Sequence, residues 1–218
     1  MNKQQEVINA CVSFVKQELH DGEKGHDWWH VERVWRSSVL IAKTEPVNLL
    51  IVELAALLHD IADSKFNGGD EEIGPAKADE FLQSLGVEAS VREHVVRIIR
   101  HISFKGGNNL PGFSSPELQV VQDADRLDAM GAIGIARAFH YGGYKNRLLY
   151  HPDISPNLRM TKEEYKNSDA PTINHFHEKL LLLKERMNTP AGKALAIKRH
   201  DFMEQFLDEF RKEWNGIN

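Results

Sequence analysis

A chain of 218 residues, 41% of them hydrophobic, holds enough apolar material for one domain of ordinary to large size, and residues 1–218 are expected to form a single domain. Its 27 basic and 32 acidic side chains leave a formal charge of -5, which argues against a protein that coats nucleic acid, since that role favours a basic face. One cysteine excludes an intramolecular disulfide, the opening MNKQQEVINA lacks a signal-like apolar region, and no apolar run could cross a bilayer, so a cytoplasmic protein with a buried Cys11 thiol is expected.

Apolar residues recur with the 3.6-residue period of helices and almost nowhere with the alternation of strands. Val7, Cys11, Phe14, Val15 and Leu19 line one face of a first helix. Val31, Val34, Trp35, Ser38 and Ala42 line a second, which Pro46 ends; Trp28 and Trp29 are read as packing residues at its entry. Residues 48–60 are apolar nearly all round, as a central buried helix requires. A helix over 76–85 stops at Gly86, a residue suited to a left-handed C-terminal turn. Helices follow over 88–101, 117–130 and 132–141. Residues 172–187 carry Phe176, Leu180 and Leu183 on one side. Thr189 and Pro190 supply an N-cap and a first-turn proline, opening a last long helix through Trp214. The expected fold is all-α, with roughly eight to ten helices and two long loops. The first loop, 103–116, is rich in Gly, Pro, Asn and Ser. The second, 142–171, contains Tyr144, Arg147, Tyr150, Arg159 and Tyr165, and either covers a polar ligand or is an ordinary surface connection.

His59 and Asp60 stand side by side where the buried third helix ends. An imidazole and a carboxylate are costly to bury there unless a charge holds them, and a divalent metal would do so. His30, in HDWWHVERV, and Asp125, in QDADRLDAMGA, are candidates to complete the site. Each alone has a plain reading, as a helical histidine or an N-cap or salt-bridge acid. Together they place two imidazoles and two carboxylates on three helices, a mixture that suits Mn, Mg, Fe, Co, Ni or Zn with positions left for water and substrate.

This order, His30, then His59-Asp60, then Asp125, resembles the HD superfamily of metal-dependent phosphohydrolases. The surrounding segments LLHDIAD and VVQDADRLDAMGAIGIAR match as well. The KF after the HD segment, the TINHF segment and the RHDFMEQFLDEF helix are similar to those of small stand-alone bacterial HD proteins of nucleotide pyrophosphohydrolase type. The resemblance runs over nearly the whole chain and implies an HD-domain helical bundle. It implies that His30, His59, Asp60 and Asp125 bind one divalent ion, Mn or Mg first, with Fe, Co, Ni or Zn as alternatives. Asp63 falls one turn after Asp60, and the resemblance places an acid at that offset beside the attacking water, as general base or water-orienting group; the plain alternative is an ordinary aspartate of a last helical turn. Lys65 either neutralises a phosphate oxygen or is solvated. Arg33, one turn after His30, is expected to orient a ligand carboxylate. Asp128, one turn past Asp125, is a candidate for a substrate hydroxyl or for a ligating histidine's proton, while Arg126 is left at the surface. Arg137 either reaches a phosphate or pairs with an acid.

His94 and His101 lie two turns apart on one helix. They do not reproduce the adjacent histidines with which some HD subfamilies hold a second metal, so one ion is expected. His101 is a candidate phosphate contact and His94 a structural residue. His26, His140, His175 and His177 lie near the site segments without a pattern that promotes any of them; His20, His151 and His200 are read as surface residues. The activity implied is hydrolysis of a small nucleotide, most directly a nucleoside or deoxynucleoside triphosphate to monophosphate and pyrophosphate. 5′-Nucleotidase and cyclic-nucleotide phosphodiesterase chemistry are the enzymatic alternatives. From other classes come a non-catalytic nucleotide sensor, against which an intact Asp63 argues, and a di-iron oxygenase, which would need His94 and His101 as ligands. The partner is a small-molecule nucleotide, with no nucleic acid polymer and no membrane; monomer and homodimer are both compatible.

Overall fold

Helix-period patterning translates into nine α-helices and one 3-10 helix, with no strand, among the described residues of the computed structural model: 3–20, 27–61, 70, 72–102, 112–161, 163–164 and 167–217. The chain divides into two compact units, Met1–Asp125 and Arg126–Asn218.

In the first unit α1 (Lys3–Glu18) buries Val7, Ile8, Cys11 and Val15. Burial pushes the Cys11 thiol up to about 12, so it stays protonated at neutral pH, a small apolar core residue. Next come α2 (Trp28–Ala42) and α3 (Leu49–Leu58), and α3 is the hub: it packs against α1, α2 and α5. That placement explains its near-uniform apolar composition. Leu54, Leu57 and Leu58 are fully buried, each contributing about 2 kcal/mol of transfer free energy. Glu53, the one charge in α3, accepts a 3.0 Å hydrogen bond from Trp35 Nε1 of α2, which satisfies it at the helix interface. Helix α4 (Ile73–Ser84) packs against α5 (Ala89–Ile102), and Gly86 between them has φ of +65°, the left-handed conformation expected of it. Helix α6 (Pro116–Asp128) contains the boundary between the units.

The second unit contains α7 (Gly131–Tyr144), α8 (Thr172–Glu178), a 3-10 helix (Leu180–Arg186) and α9 (Pro190–Trp214). Its core is aromatic. Phe139, Phe176 and Phe206 have ring centroids 5.9 Å apart, and the cluster continues through Phe210 to Trp214 and Tyr150. The segment before α8 is tied down rather than loose. Thr172 and Ile173 donate backbone hydrogen bonds to the Leu148 and Leu149 carbonyls (2.8 and 3.0 Å), and Asn174 Nδ2 donates to the Ile154 carbonyl (3.0 Å).

Three sequence expectations are corrected here. The helix expected over 172–187 breaks at Lys179, whose backbone (φ -142°, ψ -55°) leaves the helical region; Leu180 and Leu183, three apart, then align on one buried edge of a three-residue turn. His200, expected at the surface, is buried because it lies in the stripe Gly192, Ala196, His200, Met203, Leu207 of α9, with Glu204 one turn on at 3.3 Å. Trp29 is 62% exposed and not a packing residue, whereas Trp28 is half-buried with Lys16 Nζ 4.7 Å from its ring centre. No helix among the described residues is long and apolar enough to cross a membrane.

Candidate metal centre

Three helices of the first unit bring the candidate ligands together. His30 is the third residue of α2. The Asp27 carboxylate caps that helix and accepts a 3.0 Å hydrogen bond from the His30 backbone N–H, so cap and ligand are set by one turn of chain. The imidazole points inward and is buried. His59 follows directly on the last residue of α3 and keeps helical dihedrals (φ -62°, ψ -28°). Its Nδ1 lies 2.8 Å from the Ala56 carbonyl. A carbonyl only accepts, so Nδ1 carries the proton and Nε2 keeps its lone pair for a ligand.

The ligand atoms of His30, His59 and Asp60 all lie within 4.8 Å of one another. His30 Nε2 is 3.9 Å from Asp60 Oδ2 and 3.5 Å from Asp125 Oδ1. Asp125 therefore enters the cluster through His30 and stands outside the mutual grouping of His30, His59 and Asp60. Neither distance is a hydrogen bond, which would need about 3 Å. Ligands bonded at about 2.1 Å to a single ion stand roughly 3 to 4.2 Å apart, and both distances fall in that interval. A buried imidazole faced by two carboxylates just beyond hydrogen-bond range, with a second imidazole locked in its ligating tautomer, fits a divalent cation. Among the described residues this is the one cluster of three or more His, Cys, Asp or Glu at such spacing. The burial is graded: the His30 side chain is 4% exposed, that of Asp60 17% and that of Asp125 42%, so the centre opens on the Asp125 side.

The other expected site residues are distributed as follows. Asp63, Lys65 and His26 lie outside the described residues. Arg33 is half-buried one turn after His30 on α2. His101, at the end of α5, has Nδ1 2.7 Å from the Arg97 carbonyl and its ring 5.2 Å from that of Phe113. His94 links α5 to α6: its Nε2 is 2.9 Å from Ser115 Oγ and 3.5 Å from Glu117 Oε2. Asp128 belongs to the second unit, where it is buried and pairs with Arg137. His175 is also in that unit; burial, with Lys179 and Arg147 nearby, pushes it down to about 4, so it is neutral at physiological pH. Burial and Arg211 lower His177 too.

Sequence reasoning passed over two residues that matter here. Asp27 was legible, since an aspartate three residues before His30 is an N-cap pattern. Glu117 is a buried carboxylate whose Oε1 accepts a 2.9 Å hydrogen bond from the Asn48 backbone N–H. Its position in the first turn of α6 suits the helix dipole, but no local signal ties it to a residue 69 positions away.

Comparison with known proteins finds relatives along nearly the whole chain. A family model described as HD domain matches residues 28–130, which include His30, His59, Asp60 and Asp125. The YpgQ protein of Bacillus subtilis is 38% identical over 217 residues, covering 99% of this chain and 96% of that protein. An HD-superfamily hydrolase from Bacillus thuringiensis superposes with a TM-score of 0.79 at 44% identity, covering 97% of this chain and 98% of its own. A crystal structure of B. subtilis YpgQ in complex with ADP superposes with a TM-score of 0.77 at 34% identity over the structurally matched residues, covering 97% and 96% of the two chains.

Proposed function

This chain belongs to the HD superfamily of hydrolases, and from that footing we propose that it is a metal-dependent phosphohydrolase of small nucleotides, cleaving a nucleoside or deoxynucleoside triphosphate to monophosphate and pyrophosphate. The observation that carries the reading is the convergence of two carboxylates from different helices on the buried His30 Nε2, at 3.5 and 3.9 Å, beside His59. A nucleotide as substrate is supported by the ADP in the YpgQ structure.

In this proposal His30, His59, Asp60 and Asp125 hold one divalent ion, Mn or Mg by the carboxylate content of the set. When bound, the ion supplies Lewis acidity and makes water a better nucleophile at neutral pH. The chain's own groups do the rest. The Ala56 carbonyl keeps His59 in the tautomer that presents Nε2. Asp63 orients the attacking water and takes its proton, and Lys65 offsets charge on the phosphoryl oxygens. His101 contacts a phosphate; because Nδ1 is turned to the Arg97 carbonyl, Nε2 is the nitrogen that would do so. Arg33 orients a ligand carboxylate from one turn along α2.

The test is a panel of nucleotides assayed for phosphate and pyrophosphate release with Mn and with Mg. A triphosphate is expected to give pyrophosphate, and Asp60→Ala is expected to lose at least about a hundredfold in activity, the scale set by outer partners of metal ligands being a lower bound. Full activity in Asp60→Ala would place the reaction elsewhere.

A further inference from the structure

Helices α3 and α6 touch the metal centre at one end and each other, through a polar bond, at the other. The Asn48 backbone N–H donates to Glu117 Oε1 at 2.9 Å, and the Asn48 side chain accepts from the Leu50 backbone N–H at 3.1 Å as the N-cap of α3. Twelve residues on, about 18 Å at helical rise, the α3 segment arrives at Asp60; eight residues after Glu117, about 12 Å, α6 arrives at Asp125. Both carboxylates then lie within 4 Å of the same atom, His30 Nε2. The two helices thus run in the same direction, fastened at their starts and carrying ligands at their ends.

The fastening is buried and braced. Glu117 has an 11% exposed side chain, and its second oxygen faces His94 Nε2 at 3.5 Å. The same nitrogen lies 2.9 Å from Ser115 Oγ, which accepts from the Leu118 backbone N–H at 3.1 Å and so caps α6. A second brace from α5 follows, with Gln122 Nε2 donating to the His101 carbonyl at 3.1 Å. Apolar packing resists separation of helices but is non-directional; hydrogen bonds with narrow distance limits fix axial slide. The quantity that slide would change is the separation of Asp125 from His59 and Asp60, and Asp125 is the ligand outside the mutual 4.8 Å set.

We propose that Glu117, backed by His94, is a positioning residue for the metal centre: by holding the start of α3 to the start of α6, it sets how closely Asp125 approaches the His59-Asp60 pair. The proposal rests on the metal-site reading above. It is tested by calorimetric titration of the metal-free full chain with Mn(II). Glu117→Ala is expected to weaken Mn affinity about tenfold, the low end for outer partners of metal ligands. Glu117→Gln keeps an amide oxygen for the Asn48 N–H and is expected to stay within about threefold of the parent. If Glu117→Ala does not fold, as judged by circular dichroism, Glu117→Asp is read in its place, since it retracts the carboxylate by one methylene and should weaken binding in the same direction. In an Asp125→Asn background the Glu117 change should cost no further Mn affinity. Parent-like affinity in Glu117→Ala, or an equal loss in the Asp125→Asn background, overturns the proposal. His59→Ala separates the two levels: Mn binding unchanged by that variant would sink the metal-site reading itself, whereas its loss alongside a normal Glu117→Ala would sink the positioning role alone.

Discussion

Asp125 and Asp128 stand one turn apart on α6, yet each compact unit uses its acid differently. In the first unit Asp125 is partly exposed and faces an imidazole 3.5 Å away, with Asp60 closing on the same nitrogen. In the second, Asp128 is buried against the Arg137 guanidinium, and its charge partly offsets the burial that lowers the pKa of Arg199, a half-buried arginine that donates to the Leu127 carbonyl. A carboxylate buried beside guanidinium groups meets fixed positive charge; Asp60 and Asp125 instead converge on one imidazole nitrogen just beyond hydrogen-bond range, a spacing that suits a shared cation. The backbone at the junction serves the second arrangement. Gly131 has φ of +68°, and a Cβ there would meet the Arg199 side chain at 3.1 Å, so a larger residue would strain the turn and crowd the arginine together.

The contrast can be broken most forcefully at Asp128. Asp128→Ala removes the carboxylate that faces two half-buried arginines and is expected to cost about 3 kcal/mol in urea unfolding, while Asp125→Ala changes stability by less than about 0.5 kcal/mol and weakens Mn binding without abolishing it. Equal stability losses would erase the distinction between the two acids.

A smaller effect comes from His175 in the second unit. Its folded value of about 4 lies below the 6.5 of the free side chain, so between these limits the unfolded chain binds the proton that the folded chain refuses. Stability should therefore fall as pH drops through this window, by about 2 kcal/mol between pH 7 and pH 5 from this group. His175→Gln should flatten that part of the stability-pH curve; an unchanged slope would mean that burial and the neighbouring cations do not act on this ring. Smallest is Asp27→Ala, expected to cost about 1 kcal/mol as a lost N-cap. Because the cap also fixes the turn that presents His30, Mn affinity should fall with it, and a stability loss without any change in Mn binding would show that the cap and the ligand are independent.

Much of this was legible in the chain. The helical period fixed the all-α class and most of the boundaries, because each helix buries one face and the pattern of burial is written in the residue spacing. Asn48, Gly86 and Thr189 sit where local chemistry places them: the first and last accept from backbone N–H groups of their own first turns, and the glycine takes the left-handed turn. His30, His59, Asp60 and Asp125 were found as residue types in a familiar order, and three of them form the mutual cluster while Asp125 joins through His30. His200 was misplaced because a histidine at one position of a long amphipathic stripe looks polar until the stripe is seen to face the core. The break at Lys179 was hidden because Leu180 and Leu183 suit either a 3.6- or a three-residue turn.

By itself, then, the sequence determined the local events, since capping, helical period and ligand type depend on neighbours within a turn or two. Which acid meets a guanidinium and which an imidazole, which histidine turns inward and which carboxylate fastens α3 to α6 were decided only in tertiary structure. Those outcomes depend on charges and donors brought together from distant parts of the chain, as Glu117 and Asn48 are across 69 residues, and no local pattern encodes that meeting.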